Sequence, residues 1–194
     1  MRDRGRLMQQ CVPLGQGAMA AIVGLTDQQI YEICAKAAQD QVVEPANFNA
    51  IGQTVIAGHT DAVLRAVKLA ELLEARLAKI IPVSAPCHCK LLMEAAAAFA
   101  QILNNISVNT PQIEVVNNVD VAVLTKPEEI KAALTRQLYQ PVRWVETIQL
   151  FSAKGVTELI ECGPGQVLTG LCKRIEKNIK AQTIGAVMPK ELFE

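Results

Sequence analysis

The sequence predicts an α/β fold that contains a ferredoxin-like β-α-β-β-α-β subdomain. Between Ala18 and Val83, short apolar runs alternate in that order with segments of helical periodicity. From Cys89 onward, longer helical patterns alternate with short strands. No internal repeat or low-complexity linker interrupts the chain.

Each element of the first half has its own signal. An apolar strand at 18–24 precedes Thr26, and Gln29 three positions later completes a capping box, which predicts a helix that buries Ile30 and Ile33. The next elements are, in order, strands at 47–50 and 53–57 around Gly52, a helix at 61–78 and a strand at 79–83. This order is that of a split βαβ unit.

The second half is richer in helices. Thr125, followed by Pro127 and Glu128, has the spacing of a second capping box and predicts that a helix begins there. The other elements are predicted as a helix at 91–106, a strand at 114–116, a helix at 144–151, a strand at 157–161 and a final helix ending near Lys177.

Composition restricts the class of function. The 194 residues carry 19 basic and 19 acidic side chains, which gives no electrostatic reason to expect binding to nucleic acid or to a membrane. We find no stretch with the length of a signal peptide or a membrane span, so we expect a cytoplasmic protein. The six cysteines lack a Cys-x-x-Cys pair, and we expect free thiols rather than a metal site.

His88 is the main candidate for a catalytic side chain. It lies in the segment Ser84-Ala85-Pro86-Cys87-His88-Cys89, directly after a predicted strand. An imidazole titrates near neutrality, so it can take a proton from a nucleophile and return it to a leaving group. The alternative is a histidine that serves only the packing of the core. The segment alone leaves both interpretations open.

Several segments together resemble the malonyl-CoA:acyl-carrier-protein transacylase family. They occur in the family's order and extend to about residue 175, at 4–9 with 17–22, 47–49 with 52–58, 82–88, 136–144 and 161–171. The resemblance implies a hydrolase-like α/β core into which the ferredoxin-like subdomain is inserted. We expect residues 1–14 and 84–194 to form an incomplete core, and residues 15–83 to form the small lid.

The family's nucleophile is a serine in a Gly-His-Ser-x-Gly elbow, and the resemblance places it upstream of Arg4. We therefore expect this chain to be a C-terminal portion without a nucleophile. The nearest local match, Gly58-His59-Thr60-Asp61-Ala62, has threonine for serine and lacks the final glycine that a sharp elbow requires. We expect His59 to be an exposed residue at the start of a helix.

The resemblance also implies roles for individual residues. His88 would be the base, and the main-chain carbonyl of Gln137 would orient its ring. Arg4 would bind the free carboxylate of a malonyl group with its planar guanidinium. Asn47 and Asn49 would line the cleft, since alternate residues of a strand share a face. Without the resemblance, Arg4 fits a frayed terminus, Gln137 a locally satisfied buried amide, and the asparagines a turn before Gly52.

The implied function is malonyl transfer from CoA to the thiol of an acyl carrier protein. The family uses a ping-pong mechanism through an acyl-serine, with malonyl-CoA as substrate and no cofactor. Two alternatives remain open: a noncatalytic remnant that binds CoA or a carrier protein, and one half of a split acyltransferase completed by a missing N-terminal half.

Overall fold

The first half of the chain forms a four-stranded antiparallel sheet. The computed structural model describes residues 2–187. The strands are β1 (Gly17–Val23), β2 (Val43–Ala50), β3 (Gln53–His59) and β4 (Leu77–Ile81), in the order β2-β3-β1-β4. Helix α2 (Asp27–Ala38) connects β1 to β2, and α3 (Thr60–Leu72) connects β3 to β4. The predicted ferredoxin-like unit is confirmed.

Both helices cover one face of this sheet. Alternate residues of β1 and β3 point to that face, and the core they share with α2 and α3 includes Ala20, Ile22, Ile56, Ile30, Ile33, Val63 and Ala66. The capping box at the start of α2 is present. The Gln29 amide donates to Thr26 Oγ1 at 3.3 Å, and the Thr26 amide donates to Gln29 Oε1 at 2.9 Å.

Helix α3 ends earlier than its periodicity predicts. The pattern continued to residue 78, but the helix stops at Leu72, and Glu74 adopts a left-handed conformation with φ of 57°. Leu77 and Ala78 instead pair with Val23 and Ile22 of β1. The hydrogen bonds of a long-range strand pair thus outweigh the local helical pattern, which the sequence alone does not reveal.

Helix α1 (Arg2–Cys11) packs against α4 (Met93–Asn104), which follows a 3₁₀ turn at Lys90–Leu92. Met8 of α1 is buried in one cluster with Leu92, Phe99 and Leu138. Arg4 lies one helical turn before Met8. The N-terminal residues therefore form a packed helix, and the frayed terminus considered above is not what the structure shows.

A short hairpin precedes two further helices. It is formed by β5 (Val116–Asn117) and β6 (Ala122–Val123), and the helices are α5 (Pro127–Arg136) and α6 (Trp144–Ala153). The capping box predicted at Thr125 is wrong. Proline lacks an amide hydrogen and suits the first helical position, so Pro127 sets the start of α5 and the N-cap is Lys126, with no side-chain cap.

The C-terminal part is a small parallel α/β unit. Strand β7 (Glu158–Glu161) leads through α7 (Val167–Ile175) to β8 (Lys180–Thr183), which pairs with β7 in parallel, and α8 (Ile184–Val187) follows. A parallel pair joined by a helix agrees with the predicted α/β class. The division into residues 1–14 with 84–194 and residues 15–83 stays a prediction.

The two halves are linked by hydrogen bonds at the edge strand β2. The Phe48 amide donates to the Val142 carbonyl at 2.9 Å, and the Val142 amide donates to the Ala46 carbonyl at 2.8 Å. Asn47 and Val142 thereby form an isolated parallel bridge. Since Val142 closely follows α5, the bridge fixes the end of that helix against the sheet.

The described helices are short. Helix α3 has 13 residues, whereas a membrane-spanning helix needs about 20 apolar residues. Between residues 2 and 187, no helix combines the length and the hydrophobicity required to cross a bilayer.

Candidate functional site

His88 lies in a tight turn between β4 and α4. It adopts a left-handed conformation, with φ of 65°. Such a conformation costs a residue with a side chain roughly 1–3 kcal/mol, so the surrounding structure must impose it. Pro86 and Cys89 on either side are fully buried, and the His88 amide donates to the Leu138 carbonyl at 3.0 Å. The histidine is thus held by its backbone as well as by its ring.

The imidazole is oriented by main-chain carbonyls beyond the end of α5. Its Nδ1 lies 3.2 Å from the carbonyl oxygen of Gln140, and the Gln137 backbone also raises the pKa of the ring. A proton on Nδ1 that is donated to a carbonyl leaves the lone pair of Nε2 for another group. The arrangement selects the tautomer that a general base needs.

The pKa of His88 is lowered from its ordinary value. Burial is the main cause, because it penalises the charged imidazolium, and the positive charge of Arg4 lowers the pKa further. The carbonyls of Gln137 and Gln140 act in the opposite direction and raise it. The net result is a histidine that is neutral at physiological pH and able to accept a proton.

Arg4 and His88 are brought together although 84 positions separate them in the sequence. Arg4 is half-buried on α1, and its charge lowers the pKa of both Cys87 and His88, while burial raises that of Cys87 overall. The site therefore places a positive charge near the candidate base. A guanidinium in this position can bind a carboxylate through two parallel hydrogen bonds.

Gln137 is the residue that follows α5 and caps it. Its side-chain amide Nε2 donates to Asn118 Oδ1 in the β5–β6 turn at 3.0 Å. The sequence left the role of this side chain open, and the structure gives it a partner. Its main-chain carbonyl faces His88, as described above.

Asn47 and Asn49 both lie on β2, and both are half-buried. Asn47 is opposite Val55 of β3, but the register shifts between Phe48 and Ala50 and leaves Asn49 without a directly opposite residue. An irregularity of this kind breaks the alternation of a regular strand. The face that each amide occupies, like the place of both residues in a cleft, therefore stays a prediction.

His59 ends β3 and is the N-cap of α3. It is half-buried rather than exposed, because its Nδ1 accepts a hydrogen bond from the Val42 amide at 2.9 Å. Thr60 Oγ1 donates to the Gly15 carbonyl at 2.7 Å. The hydroxyl that resembles a nucleophile in sequence thus has a structural role.

The six cysteines are all free thiols. Burial raises the pKa of Cys89 to about 12, and it also raises that of Cys87, so neither flanking thiol of His88 is a thiolate at neutral pH. Within residues 2–187, no group of three histidine, cysteine or acidic side chains is arranged to hold a metal ion.

A cavity of about 470 Å³ opens beside His88. It lies between α2, β2 and the turn before α4, and its polar wall includes an ion pair of Glu44 with Lys90, 2.5 Å apart. Glu44 also accepts a hydrogen bond from the Lys90 amide at 3.0 Å. Strand β2 is thereby connected to the backbone two residues after His88.

Sequence reasoning missed three residues of this site: Asn118, Leu138 and Gln140. The carbonyls of Leu138 and Gln140 contact His88 from 50 and 52 positions away, and main-chain groups leave no trace in residue type. The adjacent pair Asn117-Asn118 was visible as a turn signal. Nothing local indicated that its second member reaches Gln137.

Comparison with known proteins places these residues in context. No protein-family model matches the chain. The malonyl CoA-acyl carrier protein transacylase of Escherichia coli K12 is 49% identical over 181 residues, which cover 93% of this chain and 59% of that protein. The counterpart from Haemophilus influenzae is 49% identical over 184 residues, covering 95% of this chain and again 59% of the relative.

Solved structures agree. An acyl carrier protein S-malonyltransferase from Vibrio cholerae superposes with a TM-score of 0.93 at 52% identity, covering 96% of this chain and 63% of that one. A second solved structure is a malonyl-transacylase in complex with a type II polyketide synthase acyl-carrier protein. It gives a TM-score of 0.92 at 48% identity, and the match covers 93% of this chain and 59% of the transacylase chain. The chain thus spans about three fifths of the length of the relatives it matches.

Proposed function

This chain is a homologue of the malonyl-CoA:acyl-carrier-protein transacylases along nearly its whole length, and we propose that it forms the C-terminal portion of such an enzyme. The resemblance expected from the sequence is confirmed. The proposed activity is malonyl transfer from CoA to the thiol of an acyl carrier protein. One observation carries the proposal: a neutral histidine, oriented by a main-chain carbonyl, lies near the positive charge of Arg4.

The proposed role of His88 is general base and then general acid. Nε2 takes the proton of a serine hydroxyl as the serine oxygen attacks the malonyl thioester, and the same proton passes to the departing CoA sulfur. In the second half-reaction, His88 accepts the proton of the carrier thiol as its sulfur attacks the acyl-serine, and returns it to the serine oxygen. The lowered pKa supports this role, because the base is neutral at the start of each half-reaction.

The serine belongs to a part of the enzyme outside these residues. Residues 1–194 contain no Gly-His-Ser-x-Gly sequence, and the hydroxyl of Thr60 is engaged with the Gly15 carbonyl. The share of the relatives that the chain covers fits a C-terminal portion. In this proposal, the present chain supplies the base and the acyl-binding cation, and the remainder supplies the nucleophile.

The proposed role of Arg4 is selection of a dicarboxylic acyl group. Its guanidinium offers a planar pair of donors to the free carboxylate of malonyl, which acetyl lacks. The placement of Arg4 on a packed helix, with its charge acting on His88, supports this role. Asn47 and Asn49 are proposed as polar groups of the same cleft.

The proposed partners are malonyl-CoA and an acyl carrier protein, and the reaction needs no cofactor. A relative of this chain has been solved with its carrier protein bound, which supports a protein partner of that kind. The proposed compartment is the cytoplasm, and the six free cysteines support a reducing environment. The proposed pathway, by homology, is fatty-acid synthesis.

Complementation tests the proposal. The 194-residue chain is incubated with malonyl-CoA, alone and with the N-terminal segment of a homologous transacylase that carries the serine, and intact mass and malonyl transfer to a carrier protein are measured. We expect no adduct on the chain alone, and transfer when both parts are present. His88→Ala should lower that transfer about 10²–10⁴-fold, the range of general acid–base catalysis.

His59→Ala is the matched control, because it removes the other histidine of the chain, and it should retain transfer. A malonyl adduct on the isolated chain would contradict the proposal. Undiminished transfer by His88→Ala in the complemented enzyme would contradict it as well.

A further inference from the structure

The turn between β5 and β6 is fixed by its own hydrogen bonds. Asn117 Oδ1 accepts from the amides of Val119 and Asp120 at 3.1 and 2.8 Å, and Asn117 Nδ2 donates to the Ala122 carbonyl at 3.0 Å. Val119 is buried, which anchors the turn in the protein. The backbone of the turn is therefore a rigid support for the side chain of Asn118.

This turn holds both ends of the segment that contacts His88. On one side, Asn118 Oδ1 accepts from Gln137 Nε2 at 3.0 Å, and Asp120 pairs with Arg136 at 2.6 Å. On the other side, the Asn118 carbonyl accepts from the Arg143 amide at 3.0 Å. Between these ends lie Leu138 and Gln140, whose carbonyls bind the amide and the ring of His88.

We propose that Asn118 is a positioning residue of the acyltransferase site, which fixes the carbonyls that orient His88 by holding the side chain of Gln137. The inference rests on the proposed function for the role of His88. Asn118 does not touch the imidazole. It acts on a segment whose main-chain oxygens do, in the manner of outer partners that orient a functional side chain.

The charges around His88 do not depend on Asn118. The ionisable groups around His88 come from four places. Tyr31, Cys34, Glu44, Lys90 and Tyr139 line the same cavity, Arg4 of α1 acts on the ring through its charge, and Cys87 precedes His88 in the chain. Asn118 is neutral, so its removal changes no charge at the site. A change in the titration of His88 on losing Asn118 therefore reports the hydrogen bonds of the ring.

The direction of that change follows from the contacts. The carbonyls of Gln137 and Gln140 raise the pKa of His88 against the effect of burial. A segment released from Asn118 holds those oxygens less firmly, so the imidazolium loses stabilisation. The pKa of His88 should fall when the bond between Asn118 and Gln137 is removed from either end.

NMR titration of the two histidines in the 194-residue chain tests the proposal without reference to catalysis. The variants are Asn118→Ala, Gln137→Ala and the double variant. We expect a lower His88 pKa in both single variants and no further fall in the double variant, because both remove the same hydrogen bond. Asn104→Ala, at an exposed position of α4, is the matched control.

Kinetics of the complemented enzyme give the second readout. Asn118→Ala should lower kcat about tenfold with little change in KM for malonyl-CoA, and the acidic limb of its pH–rate profile should move to lower pH with the histidine. A variant that only lost stability would keep the parent profile.

Two results would overturn the proposal: a parent-like His88 titration in both single variants, or falls in pKa that add in the double variant. If Asn118→Ala does not fold, Gln137→Ala decides, since it removes the same bond and leaves the turn intact. The two proposals can fail separately. If Asn118→Ala lowers the pKa of His88 but the complemented chain transfers no malonyl group, the positioning role of Asn118 is supported and the proposed function is rejected.

Discussion

The ferredoxin-like sheet and the part of the chain that follows it bury their residues differently. In the sheet, α2 and α3 cover one face, and Ile22, Ile30 and Ile56 are almost inaccessible to solvent. In the later part, Ile160 of β7 is 46% exposed and Val167 of α7 is 70% exposed. The residue with a left-handed backbone and an oriented imidazole, His88, also lies in this later part. The sheet and its two helices share one large core, whereas the later part divides its buried residues between smaller clusters and also contains the candidate chemistry.

This difference indicates a division of labour. The sheet supplies stability from its own helices, whereas the site depends on carbonyls and side chains held by turns. Substitutions in the two regions should therefore separate loss of folding from loss of chemistry.

The largest effect on stability should come from the centre of the sheet. Ile56 is fully buried in the core shared by β1, β3, α2 and α3, so Ile56→Ala leaves a cavity and should lower the free energy of unfolding by about 2–5 kcal/mol. The matched control is Ile160→Ala on the half-exposed β7, for which we expect a much smaller loss. Urea denaturation of both variants measures this. Equal losses would show that the two regions do not differ in packing.

A smaller effect should come from the two threonines that precede helices. Thr26 forms the capping box of α2, and Thr26→Ala should cost about 1 kcal/mol of unfolding free energy. Thr125 lies one residue before the N-cap of α5, so Thr125→Ala should cost far less. Thermal melts of the two variants compare the loss of stability from the same substitution in the sheet region and in the site region. A loss for Thr125→Ala as large as that for Thr26→Ala would mean that Thr125 caps α5 after all.

The smallest effect should appear in the pH dependence of stability. The pKa of His88 is lower in the folded chain than in the unfolded chain, so between these two values the unfolded state binds more protons. His88 therefore does not lower the free energy of unfolding above its pKa in the unfolded chain, which is about 6.5. Its destabilising effect grows as the pH falls from that value toward the pKa in the folded chain. His88→Ala should therefore flatten the loss of stability below neutral pH, as measured by urea midpoints, while Ile56→Ala should leave the slope unchanged. A slope unchanged in His88→Ala would contradict the assigned pKa direction.

The local signals of the sequence predicted the sheet region well. The β-α-β-β-α-β order and the capping box at Thr26 follow from residues within a few positions of one another, and both are confirmed. The same kind of reasoning predicted an end of α3 that is six residues too late. Leu77 and Ala78 instead pair with β1, which lies more than 50 positions upstream. Hydrophobic periodicity indicates which face of a helix or strand is buried. Where the helix or strand ends can depend on pairing with residues that are distant in the sequence.

The site was predictable only in part. Resemblance to a family singled out Arg4, His88 and Gln137, and the structure brings Arg4 and the Gln137 carbonyl to His88, although their roles stay proposals. The carbonyls of Leu138 and Gln140 could not be predicted, because every residue has a carbonyl and only the fold chooses which one faces the ring. Asn118 was equally hidden, since its partner Gln137 is 19 positions away.

The bridge between Asn47 and Val142 has a mechanical consequence. Val142 is hydrogen-bonded to Ala46 and Phe48 on β2, and only Pro141 separates it from Gln140, whose carbonyl lies against Nδ1 of His88. The backbone of Gln140, Pro141 and Val142 therefore links β2 to the imidazole, and Pro141 restricts the flexibility of this link. A shift of β2 would change the position of the carbonyl that orients the ring. The position of β2 and the orientation of the ring are thus connected through three consecutive residues, Gln140 to Val142.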